Sequence, residues 1–173
     1  MIITLNSLPG SGVETISKLL ALQLGMKYLT KEKLVDRVLK KCGEKCVPGK
    51  VFSEEKFAEK LKEVIEEESK KAHIIIDWPI ACWVAENSVR IFLYSSQKAR
   101  AEKITIRDKI PVGAAREMLN EEENELRTNL LSLLGVNIYD AKNFDLAINI
   151  DKVSQEDCAA VIIKYLKGLK AKM

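Results

Sequence analysis

Apolar positions along the chain fall into two textures that alternate from end to end. A solid run at 74–76 (III) is typical of a strand buried on both faces, and the mainly apolar stretches 2–5 (IITL) and 89–94 (VRIFLY) read as further strands. Between them the apolar residues recur at helical spacing. Residues 13–24 read as a first helix, 30–42 as a second, and 53 onward as a long third helix with Phe57, Leu61, Val64, Ile65 and Ala72 on one face. Residues 97–107 and 154–172 read as further helices, 27–29 as a short second strand and 145–150 as the last strand. Strands and helices in regular alternation build a parallel sheet with helices on both faces, so the expected class is α/β in three layers.

The punctuation agrees with this reading. Gly25 is placed to end the first helix, Thr30 to cap the second, and Ser154 with Asp157 to open the last with a capping-box-like pair. Residues 42–52 read as a loop turning at Pro48-Gly49. The stretch 107–134 is basic and then acidic and reads as a helical excursion. No repeat or linker interrupts the chain, so 1–173 is expected to form one domain.

Composition narrows the partners. With 28 basic and 25 acidic residues the net charge is only +3, which gives no electrostatic case for nucleic acid. No apolar run approaches the length of a membrane span, so no membrane is expected and the expected location is cytoplasmic. Cys82 and Cys158 lie in apolar surroundings and read as small hydrophobes, while Cys42 and Cys46 lack the second Cys or His pair of a metal site. His73 is the sole histidine and has no catalytic partner in sequence.

Chemistry concentrates at the turn after the first strand. A strand, a Pro/Gly/Ser turn and an amphipathic helix make up the layout of a phosphate-binding loop, whose pattern G-x-x-x-x-G-K-S/T cradles phosphate on backbone amides. Here the aligned residues are Ser7, Leu8, Pro9, Gly10, Ser11, Gly12, Val13 and Glu14, with Thr15 one place on. Gly10 and Gly12 allow the backbone to aim N–H groups inward, and a helix beginning near Val13 offers its positive end to an anion. Val13 stands where a lysine would grip phosphate. Glu14 adds a negative charge that, about 5 Å from a phosphate at an effective dielectric near 20, would repel by roughly 3 kcal/mol. Asp77, closing the strand 74–76, sits where a carboxylate would meet Mg²⁺ or the acceptor; the alternative is that it caps a helix beginning at Pro79. Trp78 and Trp83 can stack a base or pack in the core.

The opening IITLNSLPGSG, the following ISKLLALQLGMKYLTKEKLVDR, IIID at 74–77, VRIFLYSSQKARAEKITIRD and LLGVNIYDAKNFDLAINIDKVS together resemble the nucleoside monophosphate kinases, most closely the archaeal cytidylate kinase and cytidylate-kinase-like branch. That resemblance covers nearly the whole chain. It implies a P-loop NTPase-like fold with five parallel strands and a helical lid over about 107–134. It also implies transfer of the ATP γ-phosphoryl group to a nucleoside monophosphate, CMP or dCMP by branch, with ATP and Mg²⁺ required. By the same resemblance Pro9, Gly10, Ser11, Gly12, Val13, Glu14 and Thr15 line the ATP site with Arg100, Thr15 and Asp77 face the metal, and Arg107, Asp77 and Arg127 serve the transfer. Arg116 is a further lid cation. The chain departs from that branch at Val13, at Asp77-Trp78 in place of a Gly-Arg pair, and at Asn129-Leu130 in place of an Arg-Tyr pair. These losses leave a second reading open, a protein that binds nucleotide or a partner without turnover. A nucleic-acid-associated ATPase is a third, disfavoured by the balanced charge.

Overall fold

The computed structural model describes residues 1–42 and 55–170. The Pro48-Gly49 turn, Cys46 and the start of the third helix at Ser53 and Glu54 lie outside the described residues.

Five strands, β1 (Ile2–Ser7), β2 (Lys27–Leu29), β3 (Ile74–Asp77), β4 (Ser88–Tyr94) and β5 (Leu146–Asn149), form one parallel sheet in the order β2-β3-β1-β4-β5. Successive residues of the apolar runs serve opposite faces, as strand geometry requires. Ile74 and Ile76 join Leu34, Val38, Phe57, Leu61 and Ile65 on one side. Those side chains come from α2 (Lys31–Cys42) and α3 (Glu55–Lys71). Ile75 joins Ile3, Leu5, Ile16, Leu20, Cys158, Ile162 and Leu166 on the other, under α1 (Val13–Leu24) and α7 (Gln155–Lys170). The solid apolar texture of the strands is therefore the mark of a sheet covered twice.

The expected caps form. Gly25 takes a left-handed φ of 63° at the end of α1. Thr30 Oγ1 accepts the Lys33 N–H at 3.4 Å, and Ser154 Oγ accepts the Asp157 N–H at 3.0 Å. The short α4 (Ala81–Val84) follows Ile80 without any side-chain cap, so Asp77 does not serve as a helix cap. Ser96 caps α5 (Gln97–Asp108) by accepting the Ala99 N–H at 3.3 Å.

The excursion is a hairpin of two helices, α5 and α6 (Val112–Leu134), turning at Lys109, which adopts φ 56°. Ala101, Ile104, Ala115 and Leu119 form its own small core. The far end of α6 is anchored elsewhere, because Leu130 is buried in the main cluster beside Ile138.

The sheet order decides where a ligand can enter. β1 is flanked by β3 on one side and β4 on the other, and the chain winds in opposite directions from it. A crevice opens above the carboxyl ends of strands at such a switch point. The register places Asp77 level with Leu5, two residues below the end of β1 at Ser7.

Candidate active site

β1 runs straight into the loop, and the loop turns on two glycines. Gly10 has φ 76° and Gly12 φ 73°, both in the left-handed region that side chains disfavour. Ser11 closes the turn by giving its backbone N–H (3.2 Å) and its hydroxyl (2.6 Å) to the Leu8 carbonyl. Gly12 is itself the residue before α1, with no side chain capping it, so the first amides of that helix face the crevice without a protein acceptor at the cap.

A cleft of about 390 Å³ stands over this loop. Pro9, Gly10, Ser11, Gly12, Val13 and Glu14 form its floor, Asp77 and Trp78 one wall, and Lys103 and Arg107 of α5 the other. Lys31, at the start of α2, lines it as well. Lys103 and Ser11 also border a second recess of about 270 Å³, toward Asp151 and Ser154.

Of the residues expected at the site, the loop, Asp77 and Arg107 come together here. Arg107 is 68% exposed and holds the neighbouring Asp108 with two contacts of 2.7 Å, a surface pair that an incoming anion can displace at little cost. Val13 is buried in the cluster under α1. The Glu14 carboxylate lies 2.7 Å from Lys18 Nζ one turn along α1, so it is drawn along the helix and does not plug the loop.

Three other expectations are corrected. Thr15 is exposed and does not line the cleft; it sits two residues past Val13, about 200° round the helix, which takes it off the face that Val13 presents. Arg100 is buried, and its guanidinium donates from Nε to the Ser95 carbonyl (3.1 Å) and from Nη1 to the Pro9 carbonyl (2.9 Å), while also pairing with Glu123. It is a strut under the loop, not a clamp above it. Arg127 lies outside the cleft with its guanidinium 5.7 Å from the centre of the Tyr139 ring. Trp78 is 2% exposed and meets Phe57 edge to face, and Trp83 packs on Phe144 with Arg90 above its ring, so the two tryptophans read as packing residues.

Electrostatics single out Asp77. Burial drives its carboxyl from 3.8 up to about 7, and nearby Glu14 and Glu32 push the same way. The Tyr28 hydroxyl, 3.5 Å from Oδ2, and the Ser17 hydroxyl pull it down. Asp77 in turn helps raise the Tyr28 hydroxyl, although burial is the larger cause. A carboxyl balanced near neutrality at the wall of a cleft is the kind of perturbed group that functional sites collect.

Sequence reasoning passed over Lys103, Lys31 and Asn6. Lys103 Nζ donates to the Ser11 carbonyl at 3.1 Å across 92 residues of chain. Asn6, buried at the end of β1, donates from Nδ2 to the Ile138 carbonyl at 2.5 Å and ties the strand beneath the loop to the approach to β5. The only signal available for Lys103 was its position one helical turn before Arg107.

A five-stranded parallel sheet, a glycine-turned loop opening the first helix and a helical hairpin above it define the class of P-loop kinase folds. Solved structures share it. An uncharacterized protein from Eubacterium ventriosum aligns with a TM-score of 0.78 at 20% identity, covering 97% of this chain and 98% of that one. Shikimate kinase from Acinetobacter baumannii in complex with shikimate aligns with a TM-score of 0.57 at 17% identity, covering 98% and 93%. Sequence carries the assignment further. The model of the cytidylate kinase-like family matches residues 39–152. Cytidylate kinase from Sulfurisphaera tokodaii is 30% identical, covering 99% of this chain and 98% of its own. That from Pyrococcus horikoshii is 30% identical over 94% and 86%. The chain belongs to the cytidylate kinase-like family, and it is a phosphotransferase.

Proposed function

We propose that the protein transfers the γ-phosphoryl group of ATP to a nucleoside monophosphate, with CMP or dCMP as the acceptor. The single observation that carries this reading is the cleft itself, where a glycine-turned anion cradle and the cations Lys103 and Arg107 face each other within one space. Family membership supports the nucleotide, and the names of the relatives support the cytosine base.

The roles follow from position. Backbone N–H groups of Gly10 and Gly12 and the open end of α1 hold the ATP phosphates, on a turn that Ser11 closes through Leu8. The recess bordered by Ser11, Lys103 and Asp151 leaves room for the nucleoside end. The acceptor enters between Lys31 and Asp77, and one of its phosphate oxygens attacks the γ-phosphorus as the bond to the β-bridging oxygen breaks and ADP departs. Arg107 leaves Asp108 to face the charge on the transferring group. Positioning and charge neutralisation do most of the work in such a transfer.

Mg²⁺ would neutralise phosphate charge here. Asp77, on the wall of the cleft, would meet the ion, and ATP oxygens and water would fill its remaining positions. The test is direct: purified protein with ATP, Mg²⁺ and a panel of nucleoside monophosphates should release ADP with CMP or dCMP well above the rate without acceptor. Nucleotide binding by calorimetry with no turnover on any acceptor would refute the transfer and leave the non-catalytic reading.

A further inference from the structure

We propose that Lys103 supplies from α5 the phosphate-facing ammonium group that the loop lacks at Val13. The inference rests on the reading of the cleft as an ATP site and deepens it.

Three observations converge on this side chain. The first is position. Lys103 Nζ lies 3.1 Å from the carbonyl of Ser11, the middle residue of the cradle, and Lys103 and Ser11 border both the main cleft and the recess beside it. Any polyphosphate that follows the loop from one space to the other passes this ammonium.

The second is availability. Arg100 is committed to Glu123 and to two carbonyls, and Arg107 must first release Asp108. Lys103 donates to a neutral carbonyl, and its charge is felt at longer range by Asp151 across the recess, whose own hydrogen bonds come from Ser95 and Ser96. Exchanging that carbonyl for a phosphoryl oxygen replaces a contact between an ammonium and a neutral dipole by one between opposite charges.

The third is preorganisation. The residue after Lys103, Ile104, packs directly on the loop: a Cβ built on Gly10 would stand 3.0 Å from Ile104 Cδ1 and 3.1 Å from Leu119 Cδ2. The missing side chain at Gly10 is what lets α5 approach so closely. Backbone at position 103 is thus fixed relative to the cradle, and little ordering cost remains when the lysine closes on a ligand. Val13 both borders the cleft and packs into the cluster under α1, so the loop position is apolar yet still adjoins the ligand space.

The experiment separates charge from base contact by using two ligands, ATP and inorganic tripolyphosphate, each titrated calorimetrically into the wild-type protein, Lys103→Met, Lys103→Arg and the double variant Val13→Lys/Lys103→Met. Losing a hydrogen bond to a charged group should weaken both ligands by about 10- to 100-fold in Lys103→Met. Lys103→Arg should stay within about tenfold of wild type, and the double variant should recover at least about tenfold over Lys103→Met, because the cation is returned from the loop side. Weakening of ATP with tripolyphosphate unchanged would overturn the proposal by placing Lys103 on the nucleoside. Unchanged binding of both ligands, or a folded double variant that recovers nothing, would overturn it as well. Wild-type protein that binds neither ligand would refute the ATP site itself, a result distinct from these.

Discussion

Replacing Arg100 tests whether the loop is held in shape by a buried strut. Arg100 is 3% exposed, and its guanidinium satisfies the carbonyls of Ser95 and Pro9 while neutralising Glu123, which is itself 18% exposed. Arg100→Ala removes all of this at once. Two buried carbonyls lose a donor and a largely buried carboxylate loses its counter-charge. Removing one partner of such a pair costs about 3 to 5 kcal/mol, most of it the penalty of the group left behind. For a chain of this size 1 kcal/mol moves Tm by about 2 to 4 °C, so thermal denaturation should show a fall of roughly 6 to 20 °C. Arg100→Lys should recover under half of the loss, since one compact ammonium cannot reach both carbonyls and the carboxylate together. The paired replacement Arg100→Met with Glu123→Leu should recover more than Arg100→Lys, because it leaves no buried charge unpaired. A Tm within about 2 °C of wild type for Arg100→Ala, combined with a large loss of ATP affinity, would refute the strut and return Arg100 to the ligand.

Two further outcomes follow from the electrostatics of the cleft. The Asp77 carboxyl is raised from 3.8 to about 7 in the folded protein, so the native state binds its proton more tightly than the unfolded chain does, and stability falls as pH rises through that interval. Asp77→Asn should therefore raise Tm at pH 8 and leave it nearly unchanged at pH 4, with roughly 4 kcal/mol as the ceiling at about 1.4 kcal/mol per pH unit; an equal effect at both pH values in thermal melts would show that titration is not the cause. Glu14→Gln should strengthen ATP binding only about two- to fivefold, because Glu14 is 65% exposed and already paired with Lys18, which screens the repulsion expected for a bare carboxylate; a gain above about fiftyfold in calorimetric titration would mean that the carboxylate faces the phosphates.

The elements were legible in the chain because their causes are local. The solid apolar run at 74–76 became a doubly covered strand, the mainly apolar stretch 89–94 became β4, helical spacing in 13–24 became α1, and Thr30, Gly25 and Ser154 ended or opened helices as their chemistry requires. The loop was legible for the same reason, since glycines at 10 and 12 announce a left-handed turn wherever they stand. Thr15 was misplaced by taking adjacency in sequence for adjacency in space, when two steps along a helix carry a side chain to another face.

The cations could not be sorted this way. Arg100, Lys103, Arg107 and Arg127 look alike on charged helices, yet one is a buried strut, one reaches the cradle, one borders the cleft from the surface and one lies over a tyrosine ring. The pattern of apolar and polar residues by itself determined a parallel α/β sheet with a phosphate-type loop at its first turn. Which charges meet that loop was decided only by tertiary structure, because contacts such as Lys103 to Ser11 span 92 residues and exist only once α5 has docked on Gly10. Local backbone preference acts within a few residues, whereas a side chain's electrostatic role is set by whatever the completed fold brings beside it.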